Sequence, residues 1–502
     1  MTNTKKANNE VINYLILVVL AFLFLLVFSN GTSPLTKHYY GSDSAFFMFF
    51  GKAMKNGMIP YVDVFDHKGP YFFFTQELGQ IICEGRYGAF IIQIINLSIS
   101  MFIVDKIILK ARPNLEFKKR IIFQIPLAWL LIVTFRDGNM TEEYALPHLF
   151  LSLLLFIKSL DLYNDEGYYH NPKYALIYGF SLGVLALSRI TNAAFLCAVV
   201  LTITILLIYK KEYKNLTQNI VCFVSGLILS FIPIIIYFIS VNGLEYMLKY
   251  VFVFAYKYSM NSSLGYRIST YFTLKNILFI LPAFLPVLYL ILINKMKTKE
   301  FVFACIGFIA TFIATFLGFS FTHYFVLAIP NVSYGIYLCL KYFDLTEKLY
   351  KNKVIVIATI IFVMLQGIYV VEASGKNVLQ IADYSLSEKQ SNYYENLEKL
   401  DLEIGEIIPQ EDKNKVWGYG IKARLYLRTD MYPCVKFFDY LDQFLSYDDL
   451  REEIISLYNI NRPKWLIISK EKETIPKFLE ESIESDFYLS FENERYSLYK
   501  RK

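Results

Sequence analysis

The chain has 502 residues, 55% of them apolar and 17% aromatic, with a formal charge of +6 and a mean hydropathy of +0.39. That balance excludes an ordinary soluble globular protein. It also gives no ground for nucleic-acid binding, because the excess of lysine and arginine lies in loops flanking apolar runs.

Runs such as Val11–Phe28, Ile121–Phe135 and Val354–Val371 approach the ~20 apolar residues that cross a bilayer as helix. Segments with the alternating pattern of a membrane β-barrel are absent. The fold class expected is therefore a polytopic α-helical membrane protein. A first span near 12–29 follows Lys5 and Lys6 without a small-x-small cleavage site, and reads as a retained anchor. A polar loop over 30–87 follows. Further spans are expected near 88–107, 121–135, 144–160, 174–188, 192–209, 217–240, 274–293, 301–318, 324–341 and 353–371, about eleven in all. Placing the amino end in the cytoplasm puts Lys110, Arg112, Lys118, Lys119, Arg120, Lys210, Lys211, Lys295, Lys297 and Lys299 inside. Positive charge prefers that side. The Tyr71–Cys83 stretch is too short to span and carries Gln76, Glu77 and Gln80. It reads as an amphipathic helix at the outer interface.

Beyond 371 the composition turns polar, which divides the chain into a membrane module (1–371) and an extracytoplasmic α/β domain (372–502). Val416–Tyr419 and Trp465–Ser469 read as strands, and Asp448–Tyr458 as a helix between them. Phe487–Tyr499 reads as a hairpin turning at Asn493. The six cysteines and five histidines form no metal-ligand spacing.

With this topology the polar clusters that interrupt the apolar segments gather at the outer face. Asp43, in Gly41-Ser42-Asp43-Ser44, begins a short helix with Phe46, Phe47, Phe49 and Phe50. Ser42 or Asp43 can cap it, and the phenylalanines would lie on the membrane. Asp43 is equally placed to take a proton from a hydroxyl nucleophile. Asp63, Asp66, His67 and Lys68 sit between Pro60-Tyr61 and Gly69-Pro70. They form either a hydrated ion pair or, through Lys68, a partner for phosphate oxygens. Glu142 and Glu143 start a helix after the Arg136–Asn139 turn, and capping accounts for one of two adjacent acids. Arg189 breaks two apolar runs and must snorkel, pair or bind an anion. His323-Tyr324 precedes another span as an interfacial anchor or a site residue.

Together these residues suit an anionic lipid substrate: a carboxylate base, cations for a phosphate, and a helix at the bilayer surface. No phosphate-binding glycine loop or dinucleotide fingerprint is present. Tyr40-Gly41-Ser42-Asp43-Ser44, Gly57-Met58-Ile59-Pro60-Tyr61 with Asp63 and Asp66-His67-Lys68-Gly69-Pro70-Tyr71, and Asn139-Met140-Thr141-Glu142-Glu143-Tyr144 resemble the GT-C class of membrane glycosyltransferases. The likeness is nearest to the aminoarabinose and protein O-mannosyl transferase relatives, a glycosyltransferase family 39-like group. Where the class usually has an Asp-Glu pair, this chain has Asp43-Ser44, so a second carboxylate is missing there. The resemblance implies inverting transfer of a sugar from a polyprenyl-phosphate donor to a hydroxyl of a cell-envelope polymer or glycolipid. It implies Asp43 as base, and Lys68, Arg189 and His323 on the donor phosphate. Asp63, Asp66, His67, Glu142, Glu143 and Tyr324 are expected in support or on the acceptor side. It implies no metal and no cofactor. The 372–502 domain is expected to aid acceptor binding, through residues such as Tyr419, Arg424, Tyr426, Arg428 and Asp430, or to roof the cavity, without a catalytic residue. A lipid-sugar flippase or a non-catalytic envelope-assembly partner is the alternative. The apolar midplane of the spans speaks against a carrier.

Overall fold

A computed structural model of the protein describes residues 2–284, 287–288, 290, 296–317, 321–342, 353–382 and 388–502. Among them, seven helices are long and apolar enough to cross a membrane: Asn9–Phe28, Arg86–Ala111, Thr141–Leu160, Ile190–Tyr209, Tyr213–Ser240, Thr298–Phe316 and Thr322–Tyr342. This corrects the expectation of eleven. The 121–135 span is divided into helices Phe117–Ile122 and Ile125–Thr134, because Pro126 has no N–H to continue the first. The 174–188 span is the 15-residue helix Pro172–Ala186, short of a full crossing. The 274–293 span is the helix Leu274–Ile280 followed by a 3₁₀ turn at Leu281–Ala283, and part of it lies outside the described residues. The 353–371 span belongs to the helix Lys353–Ile381, and part of it likewise lies outside the described side chains. Of the inner-loop lysines, Lys295 is outside the described residues.

The chain forms two compact units, 1–29 with 91–237 and 252–378, and 30–90 with 238–251 and 379–502. In the first unit, helices approach through small residues. A Cβ on Gly179 would lie 1.9 Å from the Phe223 carbonyl oxygen, and one on Gly226 would lie 2.0 Å from that of Leu176. The Pro172–Ala186 and Tyr213–Ser240 helices thus touch backbone to backbone, the contact by which membrane helices gain van der Waals packing. Asn331 donates to the Thr311 hydroxyl (2.7 Å), which satisfies a buried amide between two other helices of this unit.

The second unit carries a four-stranded sheet of order β1-β2-β4-β3, with β1 Val416–Tyr419, β2 Trp465–Ser469, β3 Phe487–Glu492 and β4 Tyr496–Arg501. β1 and β2 are parallel, and the other pairings are antiparallel. The strands, the intervening helix Asp448–Ile460 and the hairpin turn at Asn493 fall where the sequence places them. Leu450, Ile454 and Tyr458 form that helix's buried face, and the Trp417 indole N–H donates to the Phe437 carbonyl (2.6 Å).

In the same unit, helix Ser42–Lys55 packs on helix Pro70–Ile82. The Phe50 and Phe73 rings stack 3.7 Å apart, and Phe46 stacks on Phe438 at 5.4 Å. Phe46, Phe47, Phe49 and Phe50 are all buried, which corrects the expectation that they lie on the membrane. They meet aromatic partners from Pro70–Ile82 and from the 379–502 segment instead. The Pro70–Ile82 helix forms where expected, but the residues it turns outward are apolar: Phe72, Phe73, Gln76 and Gln80 are buried, whereas Leu78, Ile81 and Ile82 are exposed.

Candidate active site

Asp43 lies in the first turn of the Ser42–Lys55 helix. Gly41 stands at the N-cap with φ 77, and no side chain caps the helix. Capping by Ser42 or Asp43 is therefore corrected: the left-handed glycine turns the chain one residue earlier, and Asp43 falls inside the positive end of the helix. Its carboxylate has a partner that the sequence did not suggest. The Tyr440 hydroxyl is 2.9 Å from Asp43 Oδ1 and 3.0 Å from Ser42 Oγ. The carboxylate only accepts, so the phenol donates to it. Burial, followed by the charges of Asp43 and Asp439, pushes the Tyr440 phenol well above its ordinary range, so it remains a donor.

Tyr440 is itself firmly held. Its backbone is left-handed (φ 53, ψ 29), and its N–H donates to Asp439 Oδ1 (2.7 Å). The Lys422 ammonium lies 3.6 Å from its ring centroid and donates to Asp439 (3.1 Å). The Ala423 N–H donates to the second Asp439 oxygen (2.9 Å).

The 57–70 loop keeps one shape through buried contacts of its own. Tyr61 is fully buried with φ 68, and its hydroxyl donates to the Lys68 carbonyl (2.6 Å). Asp63 closes a local turn by accepting from the Ile59 N–H (2.7 Å). Asp66 is 4% exposed. It lies 3.3 Å from Lys68 Nζ and 3.0 Å from His67 Nδ1, and accepts from the His67 N–H (2.6 Å). Burial alone would raise its carboxyl, but the charges of Lys68 and His67 overcome that and hold it well below the usual range. The Lys68 ammonium also lies 4.9 Å from the Phe47 ring centroid. The Asp63–Lys68 cluster is thus an ordered ion pair around Asp66.

The other candidates lie in the first unit. Arg136, Gly138 and Asn139 all have positive φ and make the turn into helix Thr141–Leu160. Glu143 is 1% exposed. It accepts from the Gln93 amide (3.0 Å to each oxygen) and from the Asn139 N–H (3.0 Å). Gln93 in turn accepts from the Ser29 hydroxyl (3.1 Å). Glu143 is therefore committed to joining the Arg86–Ala111 and Thr141–Leu160 helices. Glu142, also 1% exposed, pairs with Arg189 and accepts from Thr141 Oγ1 (3.0 Å). The Arg189 guanidinium carbon lies 3.8 Å from the Tyr324 ring centroid. His323 is buried, with its ring 5.7 Å from that of Phe321 and 4.6 Å from that of Tyr324. Glu142, Arg189, His323 and Tyr324 thus form one contiguous cluster, and Asp43 with Tyr440, Lys422 and Asp439 another.

Sequence reasoning missed Tyr440, Lys422 and Gln93, and quoted Tyr61 without its contact to the Lys68 carbonyl. Only Gln93 left a usable signal, an amide inside an apolar run. Of the residues singled out in the 379–502 segment, the Tyr419 hydroxyl donates to Asp442 and Arg428 pairs with Asp401, while Asp430 pairs with Lys52 of the Ser42–Lys55 helix.

No family model and no curated protein matches the chain. Among solved structures, ArnT from Cupriavidus metallidurans bound to undecaprenyl phosphate superposes with a TM-score of 0.60 at 12% identity, over 97% of this chain and 97% of that one. The same protein in its apo state gives 0.56 at 12% identity, over 98% of each chain. At that identity the likeness is one of fold.

Proposed function

We propose that the protein transfers a sugar, with inversion, from a polyprenyl-phosphate donor to a hydroxyl group on a cell-envelope polymer or glycolipid. The observation that carries this reading is the Asp43 carboxylate at the start of its helix, oriented by Tyr440, within a fold like that of a protein captured with undecaprenyl phosphate. Asp43 removes the proton of the acceptor hydroxyl. The freed oxygen attacks the anomeric carbon as the bond from that carbon to the phosphate oxygen breaks, and polyprenyl phosphate leaves with the bonding pair. One displacement inverts the anomeric centre.

The departing phosphate gains negative charge, which Lys68 and Arg189 are the candidates to neutralise. Each already faces a buried carboxylate, Asp66 or Glu142. Those carboxylates hold the cations in place before a donor arrives. His323, in contact with Tyr324, is the third candidate. The transfer takes place at the outer face, with the amino end of the chain in the cytoplasm, a reading supported by Lys5 and Lys6 ahead of the first span.

The test is purified protein in detergent, given synthetic undecaprenyl-phosphate hexoses and an envelope extract, with mass spectrometry for released undecaprenyl phosphate and glycosylated product. Turnover without a membrane gradient is expected from the wild type and not from Asp43→Asn. A folded wild type that releases no lipid phosphate from any donor overturns the reading.

A further inference from the structure

The geometry points to Tyr440 as a positioning residue for the Asp43 carboxylate, an inference that rests on Asp43 being the base. Tyr440 is 397 positions from Asp43 in sequence, and its hydroxyl lies 2.9 Å from the carboxylate. A donated hydrogen bond fixes the rotation of a carboxylate, and a base must present its lone pair along the line of the proton it takes.

Two further observations show that the phenol is held for this contact. Its backbone occupies the left-handed region, which a bulky aromatic residue rarely adopts, and strain of that kind persists only where the surroundings enforce it. The enforcement is visible: Asp439 accepts from the Tyr440 N–H, from the Ala423 N–H and from Lys422, while the Lys422 ammonium covers the ring. Lys422, Asp439 and Tyr440 thus form a rigid arm of the 379–502 segment, and its tip is the O–H that meets Asp43. Asp439 is buried and Lys422 is spent on it, so the arm delivers a neutral donor and no free charge.

The experiment compares wild type, Y440F, D43N and the double variant. Y440F keeps the ring and removes only the O–H. With whichever undecaprenyl-phosphate hexose supports turnover, kcat is expected to fall about 10- to 100-fold, the worth of a hydrogen bond to a charged group, with donor KM unchanged. D43N/Y440F is expected to be no slower than D43N, because Tyr440 acts through Asp43. An infrared readout needs no substrate. Wild type minus D43N isolates the Asp43 carboxylate stretch, and Y440F minus D43N/Y440F isolates it without the phenol; a shifted band is expected. An unchanged band, or a rise in donor KM at unchanged kcat, overturns the proposal. Full activity in D43N together with a shifted band overturns the base assignment and leaves the contact standing.

Discussion

The Arg189 guanidinium carbon lies 3.8 Å from the Tyr324 ring centroid, while its Nη1 pairs with Glu142. The planar, delocalised guanidinium offers a fixed fork of N–H donors along with its face, a geometry that the point charge of a lysine does not reproduce. Arg189→Lys is therefore expected to behave as a loss rather than a conservative change. Affinity for undecaprenyl phosphate, measured by calorimetry in detergent, should fall about tenfold for R189K and further for R189A, in line with ~1.5–3 kcal/mol for a hydrogen bond to a charged group. Unchanged affinity in both variants removes Arg189 from the donor site.

Glu143 invites the opposite expectation. Both its oxygens accept from Gln93, and one also accepts from the Asn139 N–H. Glu143→Gln turns one of those oxygens into a donor facing donors, at a cost of about 1–3 kcal/mol for the unsatisfied group. The melting temperature should drop, and the surviving folded protein should keep its turnover. A normal melting temperature with abolished turnover would return Glu143 to the chemistry.

The contrast between these two acids shows what the sequence could and could not convey. The adjacent Glu142-Glu143 pair marks a helix start in any reading, yet only the fold distinguishes an acid that staples Gln93 from one that faces Arg189. Tyr440 was out of reach for the same reason: Phe438-Asp439-Tyr440-Leu441 looks like any buried aromatic stretch, and its partner is at residue 43. The hairpin at Asn493, the β1 and β2 strands and the Pro70–Ile82 helix were legible because local patterning determines them. The excess of expected spans has a local origin too. A hydropathy reading of 121–135 passes over Pro126, whose effect is on the backbone and not on apolar content.

Close backbone approaches give a test that is independent of function. A Cβ on Gly88 would stand 1.9 Å from the Gly79 carbonyl oxygen and 2.1 Å from that of Cys83, both backbone atoms. Gly265, inside the Leu264–Tyr271 helix, has nothing within 4 Å. Gly88→Ala is expected to cost ~1–3 kcal/mol or more by overpacking, while Gly265→Ala gains about 0.5–1 kcal/mol in helix propensity. Thermal unfolding in detergent checks both. Equal melting temperatures for the two variants would show that the Pro70–Ile82 helix is not held against Gly88.

The Asp66 cluster predicts how this part of the protein responds to acid. Asp66 has its carboxyl depressed below the ordinary 3.8 by Lys68 and His67, against the upward push of burial. A depressed folded value means that the carboxylate contributes stability above its unfolded value, and that this contribution is lost as pH falls through the folded one. The wild type should therefore keep its Asp66 contribution down to pH ~4. Lys68→Met removes the largest opposing charge and leaves a buried carboxylate with His67, at a cost of roughly 3 kcal/mol near neutral pH. Burial then prevails and lifts the folded value above the unfolded one, so acidification protonates Asp66 in the folded state first, and the deficit of K68M relative to the wild type should shrink as pH falls from 7 towards 4. Asp66→Asn in the same background removes the titrating group and should flatten that difference. Parallel melting-temperature profiles between pH 4 and 7 for wild type and K68M would show that Lys68 does not sustain the Asp66 charge, and would release the lysine from its structural role in the loop.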